Sequence, residues 1–402
     1  MIRALQETAV GALAHALARR QGFVVRRPVV PDRSGTFPLS AVRTGPPGRL
    51  PVLIVPGGPG LGSVVPYANL RSTATRLGLH VIMAEHRGVG LSRGDGRGGD
   101  LPVEAVTVQA AADDLAAVLD RAGQSRAVVY GNSYGSYLAQ VFAARHPDRV
   151  AAMVLDSPLL SVEDDLAVTR SYRRRLLWDG EDPALAAVAA AVRGLAATGV
   201  PMAELSQVVQ VMFEFAGPRA LLRLLLARRR GRAGALWRQI GRLGEGDLQG
   251  RGVPYVMEPD LVAGIAHGEL RFGIGPDGGP LDPQLPFAEA AVRRPYCGEP
   301  FDLPAHLPGL RRPLVVISGD RDLRTPRPVA ERLVRLAPDA VLVPLHGTGH
   351  SALDAHQLAA LHVARAVVAG NARRLPAQAG RLSALPRRGP SHRLGQVLRA
   401  VV

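Results

Sequence analysis

The sequence predicts an α/β protein, a mostly parallel sheet covered by helices on both faces and interrupted once by a long helical insertion. Three observations carry this. Short apolar runs at residues 51–55, 80–84, 126–130 and 150–155 alternate with stretches of helical spacing, the pattern of a parallel sheet. The alternation stops over 161–310, which is mostly helical, Arg-rich and loop-rich, and resumes at 314–318. The 402 residues are 47% hydrophobic and 21% charged, ample material for a globular core.

In chain order, an Ala-rich N-terminal helix precedes two strands, 23–30 and 36–42, joined by a turn-rich link at 31–35. The strand 51–55 ends in the loop Pro56-Gly57-Gly58-Pro59-Gly60, and 80–84 runs into Glu85-His86-Arg87-Gly88-Val89-Gly90. Helical spacing covers 103–122 and closes at Gly123; strand 126–130, helix 133–146 and strand 150–155 follow. After the insertion come strand 314–318, helix 328–336, strand 340–344 and a helix over 351–368. Beyond about residue 370 the Arg-, Pro- and Gly-rich stretch reads as a loosely held tail with a short terminal helix.

The formal charge is +15, and every one of the 49 basic residues is Arg. Without Lys, a P-loop, a protein kinase site and a pyridoxal Schiff base are all excluded. The charge is local: residues 219–251 carry nine Arg against Glu245 and Asp247, and 371–402 carry seven Arg and no acid. Each segment is net +7, so the remaining body is almost neutral, and no nucleic-acid-reading motif accompanies the charge. Cys297 is the single cysteine, so neither an intrachain disulfide nor a Cys-rich metal site is expected. No cofactor and no metal are called for. No apolar run reaches the length of a membrane span. Glu7 and His15 interrupt the Ala-rich N-terminus, which favours an ordinary helix over a secretory signal and a cytoplasmic protein over a secreted one.

The chemistry is carried by Gly131-Asn132-Ser133-Tyr134-Gly135, which matches G-x-S-x-G between an apolar strand and a helix. Such a sharp turn lifts the Ser133 hydroxyl clear of the sheet. A serine needs a base and an orienting carboxylate, and on this chain order they follow as acid and then His. Gly319-Asp320-Arg321-Asp322 and His346-Gly347-Thr348-Gly349-His350 each follow a resumed core strand. Asp322 is preferred to Asp320, and His350 to His346. Gly58 and Tyr134 are the expected backbone donors of an oxyanion hole.

These motifs, with Glu-His-Arg-Gly-Val-Gly-Leu-Ser at 85–92 and Gly-Asp-Arg-Asp-Leu-Arg-Thr-Pro at 319–326, stand in a recognisable order. The chain resembles α/β-hydrolases of the proline-iminopeptidase and tripeptidyl-aminopeptidase type over roughly 45–160 and 311–368. The resemblance implies an α/β-hydrolase fold with core segments 1–160 and 311–370, a helical cap at 161–310 and a basic tail at 371–402. It implies a serine peptidase with Ser133 as nucleophile, Asp322 as acid and His350 as base, acting on short peptides or other small substrates. Two positions depart from the family pattern: Pro56 stands where His or Asn is usual, and Glu85 where Asp is usual.

An aminopeptidase binds the substrate ammonium through a carboxylate. In the resembled family it comes from the cap, where Glu204, Glu214, Glu258, Glu269 and Glu299 are the candidates. The segment 219–230, apolar with Arg at both ends, reads as a lid helix with its apolar face on the site, and alternatively as a weak membrane-surface contact. A carboxylesterase or lipase-like enzyme is the alternative within the class. A non-catalytic binding protein on a hydrolase scaffold is the alternative outside it.

Overall fold

The computed structural model describes residues 2–30, 35–243 and 252–402. Residues 31–34 of the predicted link at 31–35 and the acids Glu245 and Asp247 lie outside the described residues. Eight strands form one sheet: β1 (Gly22–Pro28), β2 (Thr36–Thr44), β3 (Val52–Val55), β4 (Val81–Ala84), β5 (Ala127–Asn132), β6 (Val150–Asp156), β7 (Leu314–Gly319) and β8 (Ala340–Leu345). Their spatial order is β1-β2-β4-β3-β5-β6-β7-β8, with β1–β2 and β2–β4 antiparallel and every other pair parallel.

The central strands are apolar throughout because both faces are covered. Leu53, Val129, Met153, Leu155 and Val316 face one hydrophobic core, while Ile54, Val128, Tyr130, Val154 and Ile317 face the other. Helices α3 (Val108–Arg121) and α4 (Tyr134–Arg145) cover the first face. Thr107 caps α3, its hydroxyl accepting from Ala110 N at 3.2 Å. The second face is covered by α2 (Ala68–Arg76) and by the helix Gln357–Val368. Register places Asn132, Asp156, Ile317 and Val343 side by side, so the loops leaving β5, β6, β7 and β8 open at one edge. That edge is where sites gather in open α/β sheets.

Between β6 and β7 lies a helical block: α5 (Val162–Arg174), α6 (Ala186–Ala196), α7 (Met202–Val211), α8 (Pro218–Arg229) and α9 (Gly234–Gly241). It has its own core, including Leu195, Leu205, Met212, Leu221, Leu224 and Trp237. This corrects the reading of 219–230. Ala220, Leu221, Leu224 and Leu225 of α8 are buried within the block, so its apolar face is spent on neighbouring helices. That face lies neither over the cleft nor free for a membrane surface. No described helix is long and apolar enough to cross a membrane.

Three further expectations change. The sequence reading assigns no helix at α2: between its caps its buried residues are Leu70, Arg71 and Ala74, so an arginine shares the inner face with only two apolar side chains. The helix expected over 351–368 is two, Ala352–Ala355 and Gln357–Val368, broken at His356 (φ −145°, ψ 53°). The C-terminal segment is not loosely held. Leu375 and Leu382 join the sheet core, and Leu398 on the helix Pro390–Val401 joins the core of the helical block. Its arginines cap carbonyls: Arg387 Nη2 donates to His346 O at 2.7 Å and Arg399 Nη1 to Phe215 O at 3.0 Å. Composition signalled charge, whereas three leucines spaced along the segment decided its packing.

Candidate active site

Ser133 sits between β5 and α4 at φ 52°, ψ −123°, a conformation that side chains rarely adopt. The flanking glycines are dictated by space. A Cβ on Gly131 would lie 2.2 Å from Gly135 O, and one on Gly135 would lie 2.1 Å from Val55 O. Any side chain at either position forces backbone apart, so the strained turn exists only with these two glycines.

His350 leaves β8 through Gly347-Thr348-Gly349 and reaches the serine, His350 Nε2 standing 2.9 Å from Ser133 Oγ. His350 Nδ1 is 3.0 Å from Asp322 Oδ2 and 3.1 Å from Oδ1. Asp322 is buried and accepts the Arg324 and Thr325 amides, both at 2.9 Å, and the Thr325 hydroxyl at 2.9 Å. Burial by itself raises such a carboxyl, but His350 and these donors outweigh it and hold Asp322 at about 2. Asp320 has other work: its oxygens accept Gly347 N at 2.9 Å and Thr348 N at 3.2 Å, bracing the loop that carries His350. His346 is exposed, 3.8 Å from Asp320. The structure thus brings Ser133, His350 and Asp322 together and leaves Asp320 and His346 outside the chain of contacts.

Behind the histidine, Asp156 at the end of β6 accepts Ala352 N at 3.0 Å, Leu353 N at 2.8 Å and Tyr130 OH at 3.0 Å. This buried carboxylate, unnoticed in the sequence, ties the helix after His350 to the central sheet. Its only sequence signal was an acid ending an otherwise apolar strand.

The loop after β3 places Gly58 in the cleft with Ser133, and a Cβ on Gly57 would lie 3.1 Å from Ser133 Cβ. The unusual Pro56 is buried, and its carbonyl packs against Gly135. Tyr134 opens α4; its side chain is buried, the hydroxyl 2.9 Å from His86 Nε2. Glu85 is fully buried and holds the far end of the loop, accepting Ser63 N at 2.5 Å and Val64 N at 3.1 Å. Arg71 takes the same two residues from the carbonyl side, at 2.7 Å each. A buried acid and a buried base therefore clamp one dipeptide.

Burial pushes the Glu85 carboxyl up to about 7, against the backbone amides of Ser63, Val64 and Leu91 that pull it down. A proton held in the fold but released by the unfolded chain stabilises below the ordinary carboxyl pKa, and that contribution is lost as pH rises through the folded value. Burial acts the opposite way on His86, lowering it to about 4, so the comparison must isolate Glu85. Relative to Glu85→Gln, the wild-type chain is expected to lose on the order of 3 kcal/mol between about pH 4.5 and 8. Urea unfolding of both proteins at a series of pH values measures it; a constant difference across the series contradicts it.

Ser133, His350, Gly58 and Asn132 line a cleft of about 690 Å³ between the sheet edge and the helical block. None of the five candidate glutamates lines it. Glu214 is buried, accepting Leu323 N at 3.2 Å and pairing with Arg324 Nε at 3.0 Å. Glu258 accepts Gly90 N, Glu269 accepts Val108 N at 3.1 Å, and Glu299 accepts Val162 N at 2.9 Å. Glu204 is half-buried on α7 beside Gly241 of α9. Among the described residues, the carboxylates that line the cleft are Asp260 and Asp354, which sequence reasoning passed over. Asp260 is held by both terminal nitrogens of Arg93, at 2.9 and 2.7 Å. Asp354 accepts Tyr67 OH at 2.8 Å, Asn132 Nδ2 at 3.2 Å and Ser351 Oγ at 2.6 Å.

Residues 51–357 match the family model described as "alpha/beta hydrolase fold". A probable proline iminopeptidase of Leptolyngbya boryana is 26% identical over 162 residues, 39% of this chain and 45% of that protein. Lipase LipV of Mycobacterium tuberculosis is 42% identical over 57 residues, 14% of this chain and 22% of that protein. The matches thus span less than half the length of either relative. The crystal structure of VinJ superposes with a TM-score of 0.50 at 19% identity, covering 87% of this chain and 98% of that one, a likeness of fold.

Proposed function

Since the chain belongs to the α/β-hydrolase-fold family, we propose that it is a hydrolase that cleaves an ester or amide through an acyl-enzyme on Ser133. The observation that carries this is the 2.9 Å approach of His350 Nε2 to Ser133 Oγ, continued to buried Asp322. Ser133 Oγ attacks the carbonyl carbon and passes its proton to His350 Nε2. Asp322 keeps the imidazole oriented and balances the positive charge it acquires. The amides of Gly58 and Tyr134 stabilise the oxyanion. His350 then returns the proton to the leaving group, and water, activated by the same histidine, releases the acid and restores Ser133.

Within this chemistry the first reading is an aminopeptidase of the proline-iminopeptidase or tripeptidyl-aminopeptidase type, supported by the order of the motifs and by the match to a probable proline iminopeptidase. The second is a carboxylesterase or lipase-like enzyme. It is favoured by one observation: none of the candidate glutamates faces the cleft to receive an ammonium. A fluorophosphonate probe is expected to label wild type and not Ser133→Ala; absence of labelling supports instead a binding protein on a hydrolase scaffold. Free and N-blocked peptide arylamides, run beside p-nitrophenyl esters, then separate the two enzymes. An aminopeptidase requires the free ammonium, and an esterase turns over only the esters.

A further inference from the structure

Arg324 lines the same cleft as Ser133 and His350. It lies two residues beyond the acid of the triad, and its amide donates to Asp322 Oδ1 at 2.9 Å, so its backbone is fixed to the catalytic geometry. Its carbonyl accepts Arg271 Nη1 at 2.9 Å. Its side chain is held by Nε alone, 3.0 Å from the buried Glu214 carboxylate, with the guanidinium carbon 6.0 Å from the Phe215 ring centroid. Among the described residues, neither terminal nitrogen has a hydrogen-bond partner. The side chain keeps 36% of its exposure while its partner Glu214 has none.

A guanidinium anchored through Nε presents its terminal nitrogens as a planar fork, the shape that receives a carboxylate by paired hydrogen bonds. Among the described residues, the other charged groups that line the cleft favour the same sign. Arg294 also lines it with no ion-pair partner among the described residues, whereas Asp260 is already taken by Arg93. The Asp354 oxygens already accept three hydrogen bonds from Tyr67, Asn132 and Ser351. We propose that Arg324 binds a carboxylate carried by the substrate, so that the preferred substrates are anionic esters or amides. Dicarboxylic hemiesters and short peptides with a free C-terminus are the two chemical forms. The proposal rests on the serine-hydrolase reading and narrows its substrate class.

The test compares charged and neutral partners of one scaffold: mono-p-nitrophenyl succinate with its methyl ester, and trialanine with trialanine amide. Wild type is expected to prefer the free carboxylate in at least one pair by tenfold or more in kcat/KM, mostly through KM. Arg324→Gln brings that ratio to within about twofold, and Arg324→Lys, which keeps the charge without the fork, retains part of it. Equal turnover of both members of both pairs by wild type overturns the proposal, as does a preference that survives in Arg324→Gln. If neither scaffold is turned over, millimolar succinate is expected to protect Ser133 from the fluorophosphonate probe in wild type and not in Arg324→Gln; absence of protection likewise overturns it. Failure of Ser133 to react with the probe at all overturns the hydrolase reading instead, and so the two failures are told apart.

Discussion

Ser133→Ala is expected to lower kcat on any ester or amide substrate by on the order of a millionfold, and His350→Ala by about as much. In the proposed mechanism the two residues act as one unit, since the hydroxyl is nucleophilic only while His350 Nε2, 2.9 Å away, accepts its proton. The double variant is therefore expected to be no worse than either single one. Asp322→Asn costs less, about ten-thousandfold, because the imidazole remains in place but in the wrong tautomer. Asp320→Asn is the comparison: its oxygens brace the Gly347 and Thr348 amides without touching His350, so its loss is expected to stay well below that of Asp322→Asn. Steady-state kinetics on whichever substrate the panel selects compares all five variants. A Ser133→Ala protein with activity within tenfold of wild type rules out the acyl-enzyme.

Gly135→Ala is expected to remove more stability than any conservative core substitution, about 4 kcal/mol or more. The added methyl would stand 2.1 Å from Val55 O and 2.4 Å from Pro56 O. Both are backbone atoms at the end of a central strand, so no rotamer change relieves the overlap, and β3 must move away from α4. Gly123→Ala is the reference: it has a positive φ of 68° but meets nothing within 4 Å, so its cost is confined to backbone strain of about 1 kcal/mol. Urea denaturation of the two variants compares them directly. Equal losses contradict the steric account of the elbow.

The two effects share a cause. Close approach of β3, β5 and α4 sets Ser133 in its strained turn, and the same approach brings Gly57 and Gly58 beside it. The helical block adds a second constraint. Glu214 meets the acid loop at Leu323 and Arg324, and its backbone and Cβ crowd Gly349 just before His350, where a Cβ would lie 2.7 Å from Glu214 O. One residue of the insertion thus packs on the two loops that carry Asp322 and His350, and the glycine in Gly-Thr-Gly-His is the space it needs.

The sequence by itself determined the strands and the turn at Ser133, and it preferred His350 and Asp322 as the partners that the structure places in one hydrogen-bonded chain with it. Each of these is a local matter: a short apolar run, a glycine at a fixed offset, or a polar residue directly after a strand. It also excluded Lys-dependent chemistry outright. Only the tertiary structure decided the roles of side chains whose partners are distant in the chain. Asp156 braces Ala352 and Leu353 from almost two hundred residues away. Glu85 and Arg71 close on one dipeptide, and four of the five candidate glutamates receive backbone amides instead of facing the cleft. Buried polar groups must find hydrogen-bond partners wherever the fold supplies them, and periodicity does not encode those partners. The same holds for the C-terminal segment and α8, where composition reported charge but packing followed a few leucines into the sheet core and the helical block. The cleft was therefore legible as chemistry, whereas its lining, and with it Arg324, emerged only in three dimensions.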